Sequence, residues 1–400
     1  MSSTPGTPWR VALVASSLRL GGAEKQTMYL ARALGQAGLE VRLYYLGSGG
    51  YYERVIRDAG VPVQQIFVPN RPWSILARLV RALRRFRPHL AMAAQFSDLN
   101  YAAPAGRFVH ALVIGGVRSD GLYELSTQGW RGRWLARLAH GLVANSRRAR
   151  QNLEARGIPA EKIEVLPNVI DLAEFDAQSA LALAPLLPAD RVVAVAVGSL
   201  HSCKRFDRFL EALARARQRE PALAGIIAGS DGGVEAALRG RAAALGLTAQ
   251  DLLFLGECDR VPALLTRAAL LVLTSDYEGF PNVILEAMAA GLPVISVPAG
   301  DASTIVQAGA NGWIVDPEDI PGMADGMVRL AQSPAMRREF GKAGRHRVER
   351  EYNLESLPDR LLAVLGRLAC RQRRSPVGTL LDGAAARGQA PRDLPPVDRN

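Results

Sequence analysis

The chain has 400 residues, 48% of them apolar and 22% charged, with a formal net charge of +11. That is enough apolar material for two ordinary cores, and no apolar run approaches eighteen residues, which excludes a membrane-spanning helix. Three dispersed cysteines, Cys203, Cys258 and Cys370, show no C-x-x-C or histidine spacing, so they argue for a reducing compartment and against a structural metal.

Residues 1–8 read as a loose leader without the charged and apolar regions of a signal peptide. From 9 to 170, strand-like runs alternate with helical stretches: Val11–Ala15, Val41–Leu46, Val63–Val68, Leu90–Ala93, Ala111–Gly115, Leu142–Asn145 and Ile163–Leu166. Alternation of this kind predicts a parallel sheet covered on both faces. After the first run, Gly21-Gly22-Ala23-Glu24 opens a helix reaching to about Leu34. Glycines there let backbone approach a ligand at a helix N-terminus, although a Gly-Gly pair alone is more often only a turn.

Between the third and fourth runs, Arg71–Arg87 holds six arginines and no acid. On a helical wheel Ile75, Leu76, Leu79, Val80, Leu83 and Phe86 share one arc, and Arg78, Arg81, Arg84 and Arg85 take the other. Two readings stay open: a basic amphipathic helix lying near an anionic membrane surface, or a sheet-covering helix with an arginine-rich solvent face. Nucleic acid is not expected as a partner, because no helix-turn-helix, RNP or zinc pattern accompanies the charge.

Residues 171–190, with Pro185 and Pro188 and no clear strand, read as a linker, and from 191 to 345 the alternation restarts. Its strand-like runs are Val192–Val197, Ala224–Ala228, Leu252–Leu255, Leu270–Thr274, Pro293–Val297 and Gly312–Val315. The first leads into Gly198, Ser199 and Lys204 before a helix starting near Phe206, and a strand-end loop of this kind is where open α/β sheets bind ligands. Only four of the 49 basic residues are lysines (Lys25, Lys162, Lys204 and Lys342), so a lysine here suits phosphate oxygens as a compact point charge.

The fourth run leads into Glu278-Gly-Phe-Pro-Asn-Val-Ile-Leu-Glu286, two carboxylates flanking a helix start. Pro281 is expected in the first helical turn, and the amides of Asn282 and Val283 would favour a diphosphate. Residues Ser333 to about Leu368 look helical with a break at Tyr352-Asn353-Leu354, 346–370 are taken as the closing helical segment, and 371–400 read as a disordered tail.

The spacing of Glu278 and Glu286 resembles the E-x7-E signature of retaining glycosyltransferases of family 4, whose fold is GT-B. Three further segments are similar: Gly21-Gly22-Ala23-Glu24, Gly198-Ser199 with Lys204, and Val143–Ser146 with Ile163–Asp171. The resemblance implies two Rossmann-like doubly wound domains facing each other across a cleft, the acceptor side first and the nucleotide-sugar donor side second. It also implies a final helix crossing back to the first domain. By resemblance Glu278 is the catalytic residue at the donor sugar, and Glu286 grips the nucleotide ribose. Gly21, Gly22, Arg118, Gly198, Ser199, Lys204, Phe280, Pro281, Asn282 and Val283 complete the donor site.

Two departures stand out. Ser199 replaces an arginine that commonly helps neutralise the diphosphate, and Gly116–Asp120 carries Arg118 where many members have a histidine. No D-x-D occurs, so a metal-independent transfer without cofactor is expected. The expected function is sugar transfer from a UDP- or GDP-sugar to a glycan or lipid-linked acceptor in cell-surface polysaccharide or glycolipid synthesis. The expected location is the cytoplasm, peripheral at the inner face of the membrane. A GT-B nucleotide-sugar epimerase and a non-catalytic nucleotide-sugar-binding subunit stay open. An epimeric sugar formed without acceptor would favour the first, and donor binding without transfer the second.

Overall fold

The computed structural model describes residues 9–371 except Leu20, Ser48, Asn70 and Pro185. The leader expected at 1–8 and the tail expected from 372 onward lie outside the described residues. Backbone contacts divide the described residues into two compact units, one formed by 9–167 together with 355–371, the other by 168–354.

Unit 1 runs β1 (Arg10–Ala15), α1 (Gly22–Gln36), β2 (Glu40–Tyr45), α2 (Tyr51–Asp58), β3 (Val63–Gln65), α3 (Pro72–Phe86) and β4 (Leu90–Ala93). It continues through α4 (Leu99–Phe108), β5 (Leu112–Val117), α5 (Leu122–Leu138), β6 (Gly141–Ala144), α6 (Arg147–Ala155) and β7 (Ile163–Val165). The strands form a parallel sheet of order β3-β2-β1-β4-β5-β6-β7, so the direction of winding reverses between β1 and β4. Right-handed crossovers then put α1 and α2 on one face and α3, α4, α5 and α6 on the other. Coverage on both faces explains why Val11–Ala15 and Leu90–Ala93 are apolar at consecutive positions. Strand β3 stops at Gln65, short of the expected Val68, since an edge strand has one neighbour and Pro69 has no N–H to donate.

Unit 2 begins with α7 (Leu172–Ser179), inside the stretch expected to be linker. Asp171 caps it by accepting from the Glu174 amide, and Leu172 and Phe175 are buried in the unit's core. A helix of two turns with few apolar residues gives little periodicity to read. There follow β8 (Val192–Val197), α8 (Phe206–Arg217), β9 (Leu223–Ala228), α9 (Glu235–Ala244), β10 (Leu252–Gly256), α10 (Val261–Leu265) and β11 (Leu270–Leu273). The unit closes with α11 (Asn282–Ala289), β12 (Val294–Ser296), α12 (Ala302–Ile305), β13 (Gly312–Ile314), α13 (Ile320–Gln332) and α14 (Pro334–Glu351). Its parallel sheet has the order β10-β9-β8-β11-β12-β13, with the reversal between β8 and β11.

The helical stretch at the end divides at the expected break, 352–354, so the closing helix starts after it and not at 346. Helix α14 belongs to unit 2, and α15 (Leu357–Arg371) returns the chain to unit 1, where it packs on α1 and β7. Gly141 lets it approach, since a Cβ there would lie 2.7 Å from Leu368. Arg371, expected to start the tail, instead ends α15, paired at 2.9 Å with Glu164.

Candidate functional site

In unit 2, the loops after β8 and β11 leave adjacent strands at the point where the winding reverses, the crevice where open α/β sheets hold ligands. The first loop carries Gly198, Ser199 and Lys204, the second Glu278. Lys204 Nζ donates to Glu278 Oε1 at 2.7 Å, and Ser275 Oγ donates to the same oxygen at 2.8 Å. Both side chains are mostly covered, Lys204 24% and Glu278 14% exposed, so the pair is shielded from bulk water more than a surface bridge is.

The two loops are locked together. Thr274 Oγ1 donates to the Lys204 carbonyl and the Asp276 amide to the Cys203 carbonyl, each at 2.8 Å. Arg205, which follows Lys204, has a left-handed backbone and is held by Asp207 and Asp276. Buried Arg208 also bonds Asp276, at 2.6 Å, and Glu318, at 2.6 Å. Arg205 is thus committed to this network, and Ser199 is exposed.

Pro281 precedes α11 and does not fall in its first turn, a correction to the sequence expectation. Its ψ of 89° is not helical, and its carbonyl accepts from the Ile284 amide as the helix begins. The Phe280 ring is buried, 5.9 Å between centroids from Tyr352, so the turn before α11 is anchored in the core. Asn282 Oδ1 accepts from Asn168 Nδ2 at 2.8 Å, and Val283 and Glu286 are half-buried along the helix. Gly300 was missed by sequence reasoning. Its φ is +56° and a Cβ on it would lie 2.6 Å from the carbonyl oxygens of Glu278 and Gly279. Its neighbours Ala299 and Asp301 are unremarkable in sequence, so only the fold reveals that approach. Gly198 sits against the lysine stem, and a Cβ would meet Lys204 Cε at 3.5 Å.

In unit 1, Gly21 caps α1 with extended backbone, and a Cβ on it would collide with the Glu24 carboxylate at 2.5 Å. Gly22 is the helix's first residue. Arg118 follows β5. Its Nε donates to the Ala94 carbonyl at 3.2 Å, toward the reversal point, while its Nη2 is buried without a hydrogen-bond partner. Burial lowers its pKa to about 10. The Glu124 carboxylate holds the loop by accepting from the amides of Arg118, Ser119 and Gly121.

A second residue escaped sequence reasoning here. Asp98, after β4, is fully buried and accepts from Ser16 Oγ and from the Gln95 amide. Burial raises its carboxyl to about 7, and the Glu24 charge adds to the rise. A short polar residue in a loop carries no signal of this in the sequence.

Two family profiles match the chain, "Glycosyltransferase Family 4" over 20–174 and "Glycosyl transferases group 1" over 183–347. Among curated proteins, the D-inositol 3-phosphate glycosyltransferase of Salinispora tropica is 32% identical over 253 residues, 59% of this chain and 52% of that protein. The N-acetyl-alpha-D-glucosaminyl L-malate synthase of Bacillus anthracis is 34% identical over 106 residues, 26% of this chain and 28% of that protein. The matches thus cover less than two thirds of these relatives' own length. Among solved structures, Anabaena Alr3699/HepE in complex with UDP and glucose superposes with a TM-score of 0.76 at 18% identity, covering 89% of this chain and 99% of that one. That likeness, with two parallel α/β units, makes the fold GT-B. With one profile on each half and this fold throughout, the chain belongs to the family 4-like glycosyltransferases.

Proposed function

We propose that the protein transfers a sugar, with retention of configuration and without a metal, from a nucleoside diphosphate sugar to a glycan or lipid-linked acceptor. The observation that carries this reading is the meeting of Lys204 and Glu278 at 2.7 Å, from two loops at the strand reversal of unit 2. A diphosphate entering there would draw Lys204 away from Glu278, and the helix N-terminus at Asn282 and Val283 would take part of its charge. The freed Glu278 carboxylate then faces the sugar as positive charge develops at the anomeric carbon. Glu286, further along α11, takes the ribose hydroxyls. Gly198 and Ser199 admit the phosphates, and Phe280 and Pro281 hold the turn. From unit 1, Gly21, Gly22 and Arg118 are assigned to the donor by the sequence resemblance.

UDP is the favoured nucleotide, supported by the neighbouring structures solved with UDP and UDP-glucose, and GDP is the second choice. No helix among the described residues is long and apolar enough to cross a membrane. A lipid-linked acceptor in cell-surface polysaccharide or glycolipid synthesis would be met by peripheral contact at the cytoplasmic side, through the outward arginines of α3 between Arg71 and Arg87.

The test is thermal unfolding with UDP and UDP-glucose in the presence of a chelator. UDP at about 100 times its dissociation constant should stabilise by about 2.7 kcal/mol, and Lys204→Ala should lose most of that shift while Arg205→Ala keeps it. Stabilisation that vanishes with chelator and returns with magnesium would refute the metal-independent reading.

A further inference from the structure

The two faces of the unit 1 sheet differ in charge. On one side α1, α2 and α15 mix acids with bases, as Glu24, Glu53, Asp58 and Asp359 show. On the other side α3, α4, α5 and α6 carry eleven arginines and two carboxylates: Glu124, which is buried and bonded to backbone amides, and Glu154, which is paired with Arg150. A generally arginine-rich surface would not separate the two sides in this way.

The second half of α5 gives the basic side its centre. Gly129, at φ 54° and ψ −137°, breaks the helix, so Trp130–Leu138 runs as its own segment. Gly132, Leu135 and Ala136 face the core. Trp130 and Trp134, one turn apart, point outward at 71% and 52% exposed. Arg131 and Arg133 flank that indole pair, and Arg137 continues its side. Next to it, Phe108 at the end of α4 is 55% exposed under the Arg84 guanidinium of α3, 4.5 Å away, and Arg107 Nε donates to the Leu138 carbonyl at 2.9 Å. The ends of α3, α4 and α5 thus form one surface of exposed rings edged by arginines.

We propose that this α3–α5 surface docks on an anionic lipid bilayer, with Trp130 and Trp134 inserted at the headgroup level and the surrounding arginines pairing with lipid phosphates. Indoles at the middle of a convex helix face with cations on its flanks are the arrangement of an interfacial helix. A nucleic-acid face would put its charges at the middle, along a groove. The proposal takes its purpose from the lipid-linked acceptor reading, but its chemistry stands on this surface alone.

The test is sedimentation of the full chain with phosphatidylcholine vesicles, with and without phosphatidylglycerol, alongside tryptophan emission. Binding should require phosphatidylglycerol and shift the emission to the blue. The double variant Trp130→Ser, Trp134→Ser should bind at least about tenfold more weakly, and each of Arg131→Gln, Arg133→Gln and Arg137→Gln about fivefold. The double variant's thermal shift with UDP should equal the parent's, which separates this surface from the donor site. If the parent ignores phosphatidylglycerol vesicles, or the double variant binds them as the parent does, the proposal is wrong. Retention on heparin or duplex DNA without vesicle binding would assign the surface to another polyanion and equally overturn it.

Discussion

Lys204 and Glu278 hold each other at 2.7 Å, so a ligand that takes one must leave the other unpaired. This couples two effects that a motif alone keeps separate. Glu278→Gln releases the ammonium for phosphate, so UDP affinity should hold or rise while kcat falls about 100-fold or more, the scale of a lost electrostatic contact in the transition state. Glu286→Gln should instead weaken UDP itself and raise KM with less effect on kcat. Titration calorimetry with steady-state kinetics reads both, and an equal loss of UDP affinity in the two variants would remove Glu278 from this role. Asp98 makes a pH prediction. With its carboxyl raised to about 7, the folded chain holds that proton more tightly than the unfolded chain, whose carboxyl keeps the ordinary 3.8. Its contribution to stability is present in acid and is lost as pH rises toward 7. Between about pH 4 and pH 7 the melting temperature of the parent should therefore drop relative to that of Asp98→Asn, and level off above that. Parallel curves would show that the carboxyl titrates normally.

Elements place these residues by tying loops to strand ends. The Lys204 loop and the Glu278 loop are stitched by Thr274, Asp276 and Arg208, and Gly300 allows the chain after β12 to press on the Glu278 carbonyl. Gly300→Ala adds both a clash with backbone at 2.6 Å and a left-handed φ for a residue with a Cβ. It should cost about 2 kcal/mol or more and depress UDP binding with it. Gly309→Ala is the control. Its φ is +78° with nothing within 4 Å of the added Cβ, so it meets strain alone, about 1 kcal/mol, with UDP binding intact. Urea unfolding compares them, and equal costs would mean that the Gly300 contact relaxes freely. Most strands were legible because a strand buried on both faces must be apolar throughout, as Leu90–Ala93 and Val192–Val197 are. Helix α7 and the position of Pro281 were not, because each depends on what the segment packs against: Phe175 in the unit 2 core and the Phe280 ring on Tyr352.

For the whole molecule, the sequence by itself determined the βα alternation and the division into two units. Periodicity and turn residues are local, and parallel strands joined by helices admit few arrangements. It also placed the basic helix at Arg71–Arg87, whose apolar arc faces inward, with Ile75, Leu79, Leu83 and Phe86 buried and Leu76 and Val80 partly so. Only the tertiary structure decided which distant residues meet. Strand order brings Lys204 to Glu278 across 74 residues of chain, and it brings buried Asp98 to the Ser16 hydroxyl across 82. It returns α15 to unit 1, where Arg367 and Arg371 pair with Glu164. It also gathers the arginines of three separate helices onto one face around Trp130 and Trp134. A one-dimensional pattern shows which side of an element is apolar, but the order in which strands enter a sheet decides the neighbours of that side, and with them the burial and charge that set the chemistry.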